Sequence, residues 1–311
     1  MKALIDFDGA AVFAIPVLGG GVHEGMLIEG PQGWGEFSPG PGCGQDETAR
    51  RLTAAVEPGT VGWPDPVRGR VPVAVAVPFV DPGRAHAMVA SSGCSSADVQ
   101  VGIPGSLSDD IARLEAVRDA LGSDGVVRCD AGGRWDIATA VAAIPLLDKA
   151  SGGLGYVEQP CAAVDDVAEV RRRVDVRVAI RAAVGAPIAE AADVCILSAG
   201  PLGGVRRALR VAEMCGIPCT VTTTLVTSVG MAGELALAGV LPQLDFACGL
   251  GVIGALEGDV VREGRSLMPV DGYLPVSPMP PGPDPSAVDR FAIIDPTRVA
   301  YWRELLRAAQ R

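Results

Sequence analysis

Short apolar segments alternate with longer amphipathic segments from residue 71 onward. Each pair of segments spans roughly 20 to 30 residues, which is typical of βα units that form a parallel sheet. The candidate strands are 71–77, 97–101, 125–130, 154–158, 176–180, 193–198, 217–223 and 245–249. The candidate helices between them include 107–121, 136–149, 164–173, 203–215 and 228–241. Eight such strands predict an α/β fold of the TIM-type (β/α) barrel class.

The first 68 residues follow a different pattern. Strand-like segments GMLIEG and GWGEFSP are joined by a PQG turn, and a helix is expected over 45–55. This pattern predicts a small α+β domain over residues 1–68 and a barrel domain over 69–255. Residues 256–311 contain a proline-rich stretch and a final helix, and we expect them to pack back on the N-terminal domain.

The fifth βα unit is abnormally short. Only the segment RAAVGAPIAEAA separates the fifth and sixth candidate strands, and Gly185 and Pro187 interrupt it. Because proline and glycine both oppose a helix interior, the fifth helix is expected to be short or absent.

Polar residues follow several of the apolar segments. Asp130, Glu158 and Ser198 each close a candidate strand. In a barrel the C-terminal ends of all strands meet at one mouth, so the pattern predicts two carboxylates facing a common site. Gly203 and Gly204 precede the helix after the sixth strand, and the N–H groups of that helix can hold a carboxylate or phosphate.

Composition excludes several classes of partner. The chain has 311 residues and a net charge of −11, and no basic run exceeds residues 171–173. Nucleic acid and anionic membranes are therefore unsuitable partners. No apolar run approaches the ~20 residues of a membrane span, and the first residues carry acids where a signal peptide has a basic region. A cytoplasmic location is expected, whereas the oligomeric state stays open.

Cysteine and lysine usage limits the available chemistry. The eight cysteines form no CxxC pair and the only histidines are His23 and His86, so we expect reduced thiols packed as small apolar side chains. Only two of the 26 basic residues are lysines, Lys2 and Lys149. A mechanism that requires a lysine base has just these two candidates.

A family resemblance rests on seven segments in order. GWGEFSP, VRCDAGGRWD, YVEQPCA, EVRRRVDV, PLGGVRRALRVAE, TSVG and ACGL resemble the actinobacterial o-succinylbenzoate synthases of the enolase superfamily, over nearly the whole chain. The resemblance implies an α+β capping domain on a modified TIM-type barrel. It also implies removal of a proton α to a carboxylate and loss of water, giving an aromatic intermediate of menaquinone biosynthesis. That reaction uses a divalent cation on three carboxylates and a lysine base.

Several positions implied by the resemblance hold other residue types. The Lys-x-Lys pair of the second barrel strand corresponds to Asp98 and Gln100. The lysine expected at the end of the sixth strand is Ser198. Lys149 lies at the end of a barrel helix, away from the mouth, and Lys2 is at the N-terminus, so neither replaces the missing bases. Neighbouring positions are smaller and less polar, and Thr222 and Thr223 supply hydroxyl groups there.

The metal ligands implied by the resemblance are incomplete. Asp130 and Glu158 match the first two carboxylates, but Arg181 takes the place of the third. Two carboxylates and one arginine sum to −1, as do three carboxylates and a divalent cation. A guanidinium bridges carboxylates with forked geometry, so Arg181 is predicted to lie within salt-bridge reach of Asp130 or Glu158. No cofactor is expected, and magnesium would bind only if the site survives on the two acids.

Three functions remain open. The first is a metal-independent lyase, isomerase or cyclase acting on a small carboxylate substrate in specialised metabolism. The second is a non-catalytic pseudoenzyme that binds a small acid or a protein partner, with the acids left as a structural ion pair. The third is a retained magnesium-dependent o-succinylbenzoate synthase. The catalytic candidates are Asp98, Asp130, Glu158 and Arg181, and the substrate-binding candidates are Gln100, Ser198, Gly203, Gly204, Thr222 and Thr223.

Overall fold

The N-terminal domain is a three-stranded antiparallel sheet with one helix packed on it. The structure, a computed structural model, describes residues 5–311. Strands β1 (Ala11–Pro16), β2 (Val22–Gly30) and β3 (Gly33–Phe37) lie in that order, and α1 (Gln45–Thr60) packs against β3. The contact requires glycine, because a Cβ at Gly35 would lie 1.8 Å from the carbonyl oxygen of Ala55.

The second layer is a curled parallel sheet of seven strands in the order β11-β10-β9-β8-β7-β6-β5. The preceding strand β4 (Arg70–Pro72) stands outside it. The sheet strands and their connecting helices are β5 (Val75–Val77), α2 (Pro82–Ser92), β6 (Ser96–Gln100), α3 (Leu107–Leu121), β7 (Val126–Asp130), α4 (Ile137–Ala150), β8 (Leu154–Glu158), α5 (Val164–Arg171), β9 (Val178–Arg181), α6 (Ile188–Ala191), β10 (Val194–Leu197), α7 (Ala199–Leu202), α8 (Val205–Cys215), β11 (Cys219–Val221) and α9 (Ser228–Val240). The enolase-like arrangement expected from the resemblance is confirmed.

The prediction of an eighth strand over 245–249 is wrong, because this segment forms no extended strand. Only Cys248 and Gly249 pair, through parallel bridges to Val73 and Thr222. These two bridges lie between the edges of the curled sheet. Glycine weakens a strand interior, and a Cβ at Gly251 would lie 2.8 Å from the carbonyl oxygen of Ala74. The chain therefore crosses this gap as a close-packed loop.

The fifth βα unit is short, as predicted. Helix α6 covers only four residues, Ile188–Ala191. Lys149 lies away from the mouth, as predicted, in the last turn of α4 at the rim where β8 begins. The prediction for Lys2 lies outside the described residues. No helix in the described part of the chain is long and apolar enough to cross a membrane.

The C-terminal residues form β12 (Tyr273–Pro275), α10 (Pro285–Phe291) and α11 (Pro296–Ala309). Helix α11 packs against α1, and the Trp302 ring meets Phe37 edge-on at 6.4 Å between centroids. The indole N–H of Trp302 donates a hydrogen bond of 2.9 Å to Glu24. The final helix thus shares a core with the N-terminal domain, while the boundaries proposed at 68/69 and 255/256 stay predictions.

Two buried carboxylates fasten the capping domain over the mouth. Glu57 of α1 accepts hydrogen bonds from the backbone N–H groups of Val205 (2.6 Å) and Arg206 (3.2 Å) at the start of α8. Glu36 of β3 accepts from the backbone N–H and the hydroxyl of Thr227, which begins α9. Carboxylates are stabilised at helix N-termini by unpaired N–H groups and the helix dipole. These contacts hold the N-terminal domain, which we call the cap, above the C-terminal ends of β10 and β11.

We expect Glu57→Ala to lower the free energy of unfolding by about 1–3 kcal/mol, because two buried N–H groups would lose their acceptor. The measurement is equilibrium unfolding in urea. Glu115→Ala, at an exposed position of α3, is the matched control and should change stability by less than about 0.5 kcal/mol. Equal losses in the two variants would show that Glu57 does not fasten the domains.

Candidate active site

The C-terminal ends of three adjacent strands bring Asp130, Glu158 and Arg181 together, and we call this group the Arg181 triad. Asp130 ends β7, Glu158 ends β8 and Arg181 ends β9. The Arg181 Nη2 atom lies 2.7 Å from Asp130 Oδ2, and its Nε atom lies 2.6 Å from Glu158 Oε1. The predicted salt bridge is confirmed, and it reaches both carboxylates.

Burial differs sharply within the triad. The Glu158 side chain is 3% exposed and the Arg181 side chain is 49% exposed. Burial and the nearby Asp130 charge raise the pKa of Glu158 to about 7, although Arg181 acts in the opposite direction. Burial lowers the pKa of Arg181, but the two carboxylates outweigh that effect and raise it overall. The triad therefore combines a permanent cation that faces solvent with a carboxyl that titrates near neutral pH.

The residues present do not fit the magnesium site implied by the resemblance. Magnesium takes oxygen ligands in near-octahedral geometry. Here the guanidinium of Arg181 contacts an oxygen of Asp130 and an oxygen of Glu158, which are the two surviving ligands. The resemblance also implies a third carboxylate at the position of Arg181, which carries a positive charge. Metal binding at this place would require Arg181 to leave both acids.

Asp98 lies one layer deeper in the barrel, beside a residue that sequence reasoning missed. It is the register partner of Arg128, whose Nη2 atom lies 3.2 Å from Asp98 Oδ2. The Arg128 guanidinium also stacks over the Tyr156 ring at 5.2 Å. Burial raises the pKa of Asp98, with Arg128 opposing. Asp98 is therefore held mainly by Arg128 rather than presented as an isolated base.

This deeper layer contains three buried polar atoms that have no hydrogen-bond partner among the described residues. They are Asp98 Oδ1, Arg128 Nε and the Tyr156 hydroxyl. An unpaired buried polar group costs free energy, so three of them close together are unusual. We call Asp98, Arg128 and Tyr156 the polar floor, because they lie in the barrel beneath the triad. Gln100 lies at the upper edge of this floor, opposite Asp130 in the strand register.

Ser198 is held by a buried acid. Its hydroxyl donates a 2.8 Å hydrogen bond to Glu234 of α9, which also accepts from the backbone N–H of Ala199 at 2.7 Å. Burial raises the pKa of Glu234 to about 7 despite these donors. Ser198 thus shares the Glu234 carboxylate with the start of the short helix α7, and its role in substrate binding stays a prediction.

The anion site predicted at Gly203 and Gly204 is already filled by the protein. Both glycines have positive φ, of 87° and 111°. The helix that they precede binds the Glu57 carboxylate, and a Cβ on Gly204 would lie 2.4 Å from Glu57 Oε2. The carboxylate at this helix N-terminus therefore belongs to Glu57 of the capping domain, and the role of Gly203 and Gly204 in substrate binding stays a prediction.

The two threonines lie near the cap in different settings. The Thr222 hydroxyl donates to the Gly249 carbonyl at 3.3 Å. Thr223 lines a small cavity of about 60 Å³ between cap and barrel, together with Ser198, Glu234 and Arg51. Ligand pockets usually measure about 300–1,000 Å³. In the described structure the triad residues do not line this cavity, so the predicted substrate-binding residues divide between two places.

Two residues that sequence reasoning missed had detectable signals. Arg128 precedes Asp130 by two positions, so strand alternation points both side chains to the same face. Glu234 is the only charged residue in α9, SVGMAGELALAGV, and a single acid in an apolar helix indicates a buried group with partners.

Comparison with known proteins agrees with this architecture. Residues 83–283 match the model of the enolase C-terminal domain-like family, and residues 19–59 match the enolase N-terminal domain-like family. Among solved structures, 2-chloromuconate cycloisomerase from Rhodococcus opacus 1CP superposes with a TM-score of 0.77 at 20% identity, covering 91% of this chain and 98% of that chain. The L-Ala-D/L-Glu epimerase from Bacillus subtilis gives 0.76 at 19% identity, with coverage of 91% and 100%. These likenesses show the fold.

Curated relatives are much closer in sequence. A protein of Thermobifida fusca named o-succinylbenzoate synthase is 52% identical over 277 residues, covering 85% of this chain and 86% of the relative. A protein of the same name from Mycolicibacterium smegmatis is 42% identical over 291 residues, with coverage of 90% and 87%. The two-domain architecture, the family matches and these identities together show that the chain belongs to the enolase superfamily, within the branch whose named members are o-succinylbenzoate synthases.

Proposed function

We propose that this protein binds a small carboxylate-bearing substrate at the barrel mouth and acts on it as a metal-independent lyase, with a product of the o-succinylbenzoate type. The names of the relatives support the class of ligand. The proposal that the reaction needs no metal rests on the Arg181 guanidinium, which bridges Asp130 and Glu158. A cation built into the chain stands where the resemblance implies a metal ligand.

Arg181 is suited to bind an anionic ligand. A guanidinium has five N–H donors in a fixed fork, and the two contacts to Asp130 and Glu158 use one at Nε and one at Nη2. The remaining donors and the 49% exposure of the side chain leave a face for a ligand carboxylate. Arginine pairs with carboxylates in forked geometry, so this face favours a carboxylate over a neutral ligand.

Glu158 is the candidate proton-transfer group. A carboxyl whose pKa is about 7 exists in both forms at neutral pH, as general acid–base catalysis requires. In its ionised form it can take a proton α to the ligand carboxylate, and in its protonated form it can return one to a departing hydroxyl group. Without the lysine bases and a divalent cation, Arg181 alone would stabilise the developing charge, so turnover should be slow.

A retained magnesium-dependent o-succinylbenzoate synthase is the second candidate. The printed names of relatives at 40–52% identity favour this activity over the metal-independent one. Asp130 and Glu158 also persist as two possible metal ligands. This candidate requires a metal ion to displace the Arg181 side chain from both carboxylates. That side chain is half exposed and can move toward solvent.

A non-catalytic binding protein would share the ligand class and lack turnover. The cavity beside Ser198, of only about 60 Å³, is the observation that favours it. Assaying the formation of o-succinylbenzoate from the substrate of the family, with and without magnesium, separates the three candidates. Turnover without magnesium supports the proposal, magnesium-dependent turnover supports the second candidate, and ligand binding without turnover supports the third.

Metal binding is the first prediction for this site. In calorimetric titrations we expect no binding of Mg²⁺ at millimolar concentration to the unaltered protein, because Arg181 occupies both carboxylates. Arg181→Asp should gain Mg²⁺ binding, since it supplies three carboxylates and removes the competing cation. Arg181→Ala is the control that removes the cation without adding a ligand. Binding to the unaltered protein that Glu158→Ala abolishes would contradict the proposal.

Ligand binding is the second prediction. Arg181→Ala should weaken binding of o-succinylbenzoate by about 10- to 100-fold, the usual effect of losing a hydrogen bond to a charged group of about 1.5–3 kcal/mol. Arg177→Ala removes an exposed arginine just before β9, at the opposite rim, and should leave the affinity unchanged. An equal effect of the two substitutions in a calorimetric titration would place the ligand elsewhere.

The third prediction concerns pH. Glu158 loses its negative charge as pH falls through about 7, so the triad changes from a net charge of −1 to 0. Affinity for o-succinylbenzoate should therefore rise as pH falls from 8 to 6, by up to about tenfold for one charge at close range. Glu158→Gln should flatten this dependence. A pH profile that Glu158→Gln leaves unchanged would assign the titration to another group.

A further inference from the structure

Three cysteines from separate elements converge at the opposite rim of the barrel from the triad. Cys195 is the second residue of β10 and Cys219 is the first residue of β11, and the two are register partners. Cys215 is the last residue of α8, which ends at Gly216 in the left-handed conformation, with φ of 61°. That tight turn brings the end of α8 back to the start of β11. Cys195 and Cys215 are separated by 19 residues and Cys215 and Cys219 by 3, so only the last two are close in sequence.

The sulfur atoms form a compact triangle. All three Sγ atoms lie within 4.8 Å of one another, and those of Cys215 and Cys219 are 3.8 Å apart. Thiolates bound to one metal at about 2.3 Å in a trigonal plane would be about 4 Å apart. The triangle therefore needs only a small contraction to hold an ion at its centre.

We propose that Cys195, Cys215 and Cys219 form a three-coordinate site for a soft metal ion of the Cu(I) class. Thiolates select soft ions, and the cluster contains no carboxylate or imidazole. The two histidines lie elsewhere, His23 on Glu36 and His86 beside Asp119. Structural zinc requires four protein ligands, and the cluster found within the described residues offers three.

The site has an entry path. Cys195 and Cys219 are buried, whereas Cys215 is partly exposed. Cys215 also borders a cavity of about 240 Å³ lined by α6, the loop before it and Val211 and Met214 of α8. The short fifth βα unit leaves this space open, because α6 has only four residues. An ion can thus reach Cys215 first and the two buried thiols afterwards.

Thiols bind a metal as thiolates, so binding of an ion releases protons from the cluster. Because Cys215 ends α8, Cys195 lies in β10 and Cys219 begins β11, a bound ion would join these three elements.

The test is an anaerobic titration of the full, reduced protein with Cu(I) supplied as its acetonitrile complex. We expect one ion per chain, a sulfur-to-copper charge-transfer band in the ultraviolet, and a higher thermal unfolding midpoint. Cys215→Ser should weaken binding by more than about 100-fold, which exceeds the usual effect of losing an outer partner. It should also remove the shift in the midpoint.

Cys94→Ser is the matched control, because Cys94 is also partly exposed but stands outside the cluster. It should bind Cu(I) like the unaltered protein. Circular dichroism of each metal-free variant checks that it folds. Absence of a one-to-one band in the unaltered protein, or equal affinities in Cys215→Ser and Cys94→Ser, would overturn the proposal. Zn²⁺ binding at equal or higher affinity would overturn the assignment of a soft three-coordinate ion.

Discussion

The ion pair between Arg181 and the carboxylates of Asp130 and Glu158 is the constraint on which the site depends. Two acids at the ends of neighbouring strands repel each other, and Glu158 is almost fully buried. Such acids require a compensating charge nearby. The o-succinylbenzoate synthase resemblance implies a divalent cation for that purpose, whereas this chain supplies a guanidinium from the next strand. The Arg181 guanidinium neutralises part of the negative charge of Asp130 and Glu158. It also occupies the carboxylate oxygens that would otherwise bind a metal.

Around the mouth, carboxylates of the protein itself also accept hydrogen bonds from backbone N–H groups at helix N-termini. Glu57 binds the start of α8, and Glu234 binds Ser198 and the start of α7. These groups would otherwise be free to bind a ligand anion. The cap is thus tied closely to the barrel, and the exposed face of Arg181 is the remaining cationic surface of the triad.

Much of the fold could be predicted from the sequence, because hydrophobic periodicity reflects burial directly. The predicted and observed bounds of α3 agree, and the short fifth unit followed from Gly185 and Pro187. The eighth strand was overpredicted because an apolar segment does not reveal how closely glycines approach a neighbouring backbone. Within the site, the contact of Arg181 was expected because the resemblance places Arg181 beside Asp130 and Glu158 and a guanidinium pairs with carboxylates. The partners of Asp98, Ser198 and Gly204 depended on distant segments, Arg128, Glu234 and Glu57, whose approach only the folded chain defines.

The chain is 40–52% identical to relatives named o-succinylbenzoate synthase. Fold is maintained by the core, whereas activity depends on a few side chains at strand ends. The decisive measurement is a crystal structure of the protein grown with magnesium in excess. We expect the Arg181 guanidinium still to bridge Asp130 and Glu158 in that structure. Magnesium coordinated by both carboxylates, with Arg181 displaced toward solvent, would contradict this expectation.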